Sequence, residues 1–161
     1  MKRWLTILGW LGAALLLAPA GQAGPLAPAS DLEADAQVAG ERAVPVLVLF
    51  WAEGCSYCEI VMADYLGPMA DDPAYRDKVI IRAVDVDGGR RLVDFQGNET
   101  DHEGFAADQG VSFTPVIKFF GPDGQELARE LAGFTNEHFY GYFLDSKIQE
   151  SLQRLRVMAA R

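Results

Sequence analysis

Six consecutive residues, Val46 to Trp51, read VLVLFW and carry no charged side chain. Successive residues of a strand point to opposite faces, so a strand with one wet face alternates polar and apolar. This run does not alternate. It suits a central strand covered on both sides, in a layered α/β fold. Pro45 opens it. Gly54 and Cys55 follow closely, and then CSYCEIVMADYL reads as a helix that offers Ile60, Val61 and Leu66 to a core. The chain's two cysteines, Cys55 and Cys58, thus stand where a buried strand hands over to a helix N-terminus.

The remaining pattern extends the same architecture. Ser30 or Asp31 can cap a helix to about Arg42. Pro68 is expected to end the helix that begins at the cysteines, and a short helical turn is expected near Pro73 to Asp77. KVIIRAVDV reads as a second buried strand, and Asp87 to Asn98 as a loop or small hairpin around RLVDF. Thr100, Asp101, His102 and Glu103 have capping-box spacing, which opens a helix to about Gln109, stopped by Gly110. VIKFF, GPDG and QELARELAG read as strand, tight turn and returning strand. Thr135 is expected to cap a last long helix whose Phe139, Phe143, Ile148, Leu152 and Leu155 line one face. The fold expected is α/β: a central mixed sheet of about four to five strands with helices on both faces.

The N-terminus has a different composition. Lys2 and Arg3 precede an apolar run from Trp4 to Leu17, and small residues follow in APAGQAG. That is the layout of a secretory signal, with cleavage expected after Ala20 or Ala23. The alternative is an uncleaved anchor in the inner membrane, for which the run is short against the roughly 20 residues of a full span. Residues 1–23 are therefore read as a signal peptide, 24–30 as a flexible leader and 31–157 as the folded domain. The implied compartment is the periplasm. The formal net charge of −9, with no basic stripe, argues against nucleic acid as a partner.

Three chemistries compete for Cys55 and Cys58. Zinc needs two more ligands. Only His102 and His138 remain, each read as a solvated side chain at a helix start. A purely structural disulfide would close a very small loop, with a modest entropic gain. Thiol–disulfide exchange fits the position, because unpaired N–H groups at a helix start stabilise a thiolate, the attacking species. The second sulfur is then within bonding reach and can resolve a mixed disulfide.

VLVLFWAEGCSYC resembles the active-site strand and turn of the thioredoxin superfamily, and VSFTPVIKFFGPDG resembles its second signature, with Gly133 where a glycine ends the last strand. The resemblance implies a thioredoxin-like fold. It makes Cys55 the exposed nucleophile, Cys58 the resolving thiol and Pro115 a cis-proline facing them. It implies that Thr114 presents its backbone to an extended substrate segment, with Tyr57 and Trp51 beside the motif. The chain departs from the pattern at Leu49, where thioredoxins usually carry a buried acid, and Glu53 is the candidate replacement proton acceptor. It departs again at Glu59, where a base is common. Ser56-Tyr57 and Thr114 look more like exported relatives such as the SoxS and SoxW types. Isomerases of that kind add a dimerisation domain and DsbA-type oxidases a helical insert, and the chain has room for neither. The expected function is a periplasmic thiol–disulfide oxidoreductase, a reductase that keeps a cysteine of an exported partner protein reduced. Oxidase or isomerase activity, or a non-catalytic binding module, is the alternative. The implied electron source is a membrane donor of the DsbD or CcdA type. No cofactor or metal is expected, and a monomer is.

Overall fold

The structure is a computed structural model and describes residues 26–160. The expected signal peptide, residues 1–23, lies outside them. Helix α1 (Leu32–Arg42) starts at Asp31, whose carboxylate accepts the Ala34 N–H at 2.8 Å. It ends at Ala43 in the left-handed conformation, φ 51°, where the Ala43 N–H reaches back to the Ala39 and Gly40 carbonyls. An L side chain is strained there by about 1 kcal/mol, which glycine avoids. Ala43→Gly is therefore expected to raise the thermal midpoint by a few degrees, since about 1 kcal/mol is worth roughly 3 °C in a domain of this size. An unchanged or lowered midpoint in calorimetry would contradict this.

Strand β1 (Val46–Trp51) lies inside a four-stranded sheet of order β2-β1-β5-β6. Strand β2 (Ile80–Asp85) pairs with it in parallel, with Val46 opposite Ile80 and Trp51 opposite Asp85. Strand β5 (Val116–Phe120) pairs with it antiparallel, with Phe50 opposite Val116. Strand β6 (Glu126–Ala132) returns beside β5 as a hairpin. Val46 through Phe50 are all sealed from solvent, so both faces of β1 are covered. Each such side chain contributes about 1.5–3 kcal/mol on burial.

Two segments differ from the sequence expectation in instructive ways. Pro68 does not end the active-site helix. Helix α2 (Ser56–Ile60) passes into a π-helical turn (Val61–Leu66) and then into α3 (Gly67–Asp71). The Gly67 N–H bonds the Met62 carbonyl, five residues back, and Pro68 sits in the first turn after that widening, where a missing N–H costs little. Residues 24–30 were expected as a flexible leader. Instead Ala29 N–H donates to the Ala83 carbonyl at 2.8 Å and Ala83 N–H to the Ala27 carbonyl at 3.0 Å, so residues 27–29 run along β2 as a rudimentary outer strand. Ala29 is fully buried. The polar stretch after β2 forms a small hairpin, one of the two forms expected there, of β3 (Arg91–Val93) and β4 (Glu99–Asp101), closed by Asp94, whose carboxylate accepts from the Gln96 and Asn98 N–H groups.

Two caps are also corrected. After α4 (Pro73–Arg76), helix α5 (His102–Asp108) starts on Asp101, which accepts the Gly104 N–H at 2.8 Å, while Thr100 belongs to β4. Helix α6 (Glu137–Ala159) starts after Asn136 rather than Thr135. Its buried face begins at Tyr140 and Leu144, one residue later than expected, and leaves Phe139 and Phe143 exposed. Ile148, Leu152 and Leu155 are buried as expected.

Tyr140 packs its ring against Tyr65 and Phe134, with centroids 5.0 and 4.9 Å away. Its buried hydroxyl has no hydrogen-bond partner among the described residues. Burial, then the nearby Tyr65, pushes its pKa above the usual tyrosine range. The folded state thus holds this proton more tightly than the unfolded chain. The stability this adds is complete below about pH 10, the ordinary tyrosine value, and is lost as pH rises beyond it. Tyr140→Phe is expected to flatten that alkaline loss and to be neutral or mildly stabilising at pH 7. Urea midpoints of both proteins at neutral and strongly alkaline pH test this; parallel pH curves would refute it.

Candidate active site

The reactive pair sits at one pole of the sheet. Strand β1 ends at Trp51, and a turn follows in which the Cys55 N–H bonds the Ala52 carbonyl at 3.3 Å. Gly54 takes φ 75° in that turn, a conformation rare for residues with a side chain. The turn delivers Cys55 to the N-cap of α2, where its Sγ accepts the Cys58 N–H at 3.2 Å. The two sulfurs are bonded to each other, with Cα atoms 5.2 Å apart. Their environments are unequal: Cys58 has no exposed surface, and Cys55 is half-buried. An incoming sulfur can therefore reach Cys55 and not Cys58.

Because β1 and β5 are antiparallel, the end of one meets the start of the other. Phe50 lies opposite Val116, which sets Trp51 and Pro115 at the same pole. The Thr114–Pro115 peptide bond is cis, Pro115 is buried, and its carbonyl accepts the Gly133 N–H at 2.8 Å. Thr114 and Trp51 are half-buried there. Tyr57, between the cysteines, is 58% exposed and meets Phe134 at 5.8 Å. Glu53 lies on the exposed turn. Leu49 is fully buried, flanked in register by Ala83 and Ile117, so the strand offers the pair no acid from that position.

Sequence reasoning missed several participants. Phe113, two residues before the cis-proline, is 52% exposed. Phe134 joins Tyr57 to Tyr65 and Tyr140, an aromatic cluster assembled from three separate segments. The Tyr65 hydroxyl donates to the Glu137 carbonyl at 2.8 Å, which fixes the start of α6 against the active-site helix. Burial, followed by the charges of Glu137 and Asp64, raises the Tyr65 pKa.

His102 corrects the expectation of a solvated histidine. It is 2% exposed. Its Nδ1 accepts the Asp85 N–H at 3.0 Å, so the proton sits on Nε2, which donates to the Ala29 carbonyl at 2.7 Å. The ring ties residues 27–29 to the end of β2. One cleft of about 480 Å³ lies beside Trp51, Met62 and His102, and another of about 450 Å³ lies near Arg42, Arg76 and Arg82. Neither is lined by Cys55 or Cys58.

Residues 32–145 match the model of the thioredoxin-like domain family. Similar solved structures include the thioredoxin Mala s 13 of Malassezia sympodialis, at 24% identity and a TM-score of 0.54, covering 80% of this chain and 95% of that one. The oxidized mitochondrial thioredoxin 3 of Saccharomyces cerevisiae matches at 18% identity and a TM-score of 0.52, covering 78% and 94%. No curated protein sequence matches the chain. The family match spans most of the chain and contains the disulfide between Cys55 and Cys58, so this protein belongs to the thioredoxin-like family and is a thiol–disulfide oxidoreductase.

Proposed function

We propose that the protein is a reductase that keeps a cysteine of an exported partner protein reduced. The observation that carries this reading is the unequal burial of the two sulfurs at the pole that also holds Pro115. In the reduced enzyme the Cys55 thiolate attacks one sulfur of a partner disulfide. A Cys55–partner disulfide forms and the partner's other sulfur leaves as a thiolate. Cys58, losing its proton, then attacks Cys55 Sγ and expels the partner's second thiolate. The partner has gained two electrons and, on protonation, two thiols, and the enzyme is left as the Cys55–Cys58 disulfide of this structure. A dithiol on a membrane donor of the DsbD or CcdA type returns the two electrons.

Thr114 and the cis-proline are the docking edge in this reading, where an extended segment adds as a strand. Tyr57 and Trp51 flank it. Glu53 is exposed while Cys58 is sealed, so it serves as proton acceptor only through solvent. Export to the periplasm is supported by Lys2, Arg3, the apolar run to Leu17 and the small residues after it.

Redox equilibration against glutathione tests the direction of electron flow. A potential near that of thioredoxin, about −270 mV, supports a reductase. One near about −120 mV, that of a strong disulfide oxidant, overturns it in favour of an oxidase. The state of the pair in cells gives a second measure: a reductase is held reduced.

A further inference from the structure

The surface around Cys55 is sorted by charge. Lys and Arg are absent from residues 43–75, which hold the motif, and from 92–117, which hold the approach to Pro115. They are absent again from 130–146, which hold Phe134 and the first half of α6. Those three segments meet at the active pole, through the β1–β5 register, the Tyr57–Phe134 contact and the Tyr65–Glu137 hydrogen bond. The motif segment carries Glu53 and Glu59, both exposed and each within four residues of Cys55, with exposed Asp64 on the π turn and exposed Glu137 opposite it. Asp64 adjoins Tyr65 in the chain and the Tyr65 hydroxyl bonds the Glu137 carbonyl, so the two acids flank one spot. His138 is the titratable base of the α6 start, and Arg90 lies in the loop after β2 together with Asp87. Among these acids stand two exposed aromatic side chains, Tyr57 and Phe113.

We propose that the partner segment exchanging with Cys55 is cationic: a cysteine flanked by Lys or Arg, with apolar side chains that cover Tyr57 and Phe113. This rests on the exchange chemistry proposed above. The physical reason is complementarity. Aromatic surface supplies contact area, and a rim of one sign raises the encounter rate of opposite charge while penalising like charge. The disulfide must itself be met by the partner, so charges within a few residues of it act at the distance where screening is weakest.

The test uses two synthetic peptides, each with one intramolecular disulfide, identical except for Lys or Glu at the flanking positions. Rates of oxidation of the pre-reduced protein are divided by each peptide's rate with dithiothreitol, which removes differences in the disulfides themselves. The Lys peptide is expected to react at least about tenfold faster at low salt, with the ratio shrinking as ionic strength rises. Glu59→Gln combined with Glu137→Gln is expected to narrow the ratio; comparing peptides cancels any change in thiol reactivity that both experience. Equal rates, or a salt-independent ratio, would overturn the cationic partner while leaving the reductase intact. No Cys55-dependent reaction with either peptide would overturn the exchange chemistry, and this inference with it.

Discussion

A Cys58→Ala variant is expected to stop at the covalent midpoint of the reaction. Cys55 stays reachable, so it still attacks a partner disulfide, but no internal thiol remains to release the product. Well-placed intramolecular groups act at effective concentrations of up to roughly 10⁵ M or more, so external thiol at millimolar levels cannot substitute. Turnover should fall by on the order of a thousandfold or more. A protein adduct that dithiothreitol dissolves should accumulate in non-reducing gels, and Cys55→Ala/Cys58→Ala should show none. If Cys58→Ala traps nothing and still reduces substrate normally, the two sulfurs do not divide the work as their burial implies. Undiminished biological effect in the double variant would point instead to a binding module with a structural disulfide.

His102→Ala is expected to cost about 3 kcal/mol of folding stability, the largest loss outside the hydrophobic core. The substitution strips the Asp85 N–H and the Ala29 carbonyl of their partner at once. Each buried group left unpaired costs about 1–3 kcal/mol, and the vacated ring leaves a cavity. Loosening should be local before it is global: the Ala29 and Ala83 amides, bonded across the same seam, should exchange faster with solvent. His102→Gln, which keeps an acceptor and a donor, should recover part of the loss. Denaturant unfolding together with amide exchange decides it. A loss below about 1 kcal/mol, the net worth of one ordinary hydrogen bond, would show the bridge to be unimportant.

The reactive core of this fold was legible because it depends on local pattern. VLVLFW lacks any polar face, and the cysteines follow it at fixed spacing, so strand, turn and pair could be read together. The Asp31 cap, the returning hairpin and the parallel start of the sheet follow from equally local rules. What escaped depends on pairing between distant segments. His102 sits at a polar helix start, and its burial between the end of β2 and the strand-like course of residues 27–29 depends on pairings far apart in the chain. The misplaced face of α6 has a different cause. In HFYGYFL nearly every position is aromatic or aliphatic, so two faces one residue apart fit the period equally, and the choice fell to the face of Tyr140, which packs against Tyr65 and Phe134, with Leu144 buried one turn on. Pro68 misled because a proline is an ordinary helix terminator, and the π turn that admits it leaves no mark in composition.

The rudimentary strand at residues 27–29 also covers the side of the sheet next to the active turn. It runs parallel to β2, and β2 parallel to β1, whose far end carries Cys55. Pro28 pairs with Ala83, which lies level with Leu49, and Leu26 and Pro28 share a cleft with Trp51, so the entering chain passes beside the chemistry rather than behind it. Loosening residues 27–29 would therefore uncover the flank of Trp51, the residue from which the active turn departs.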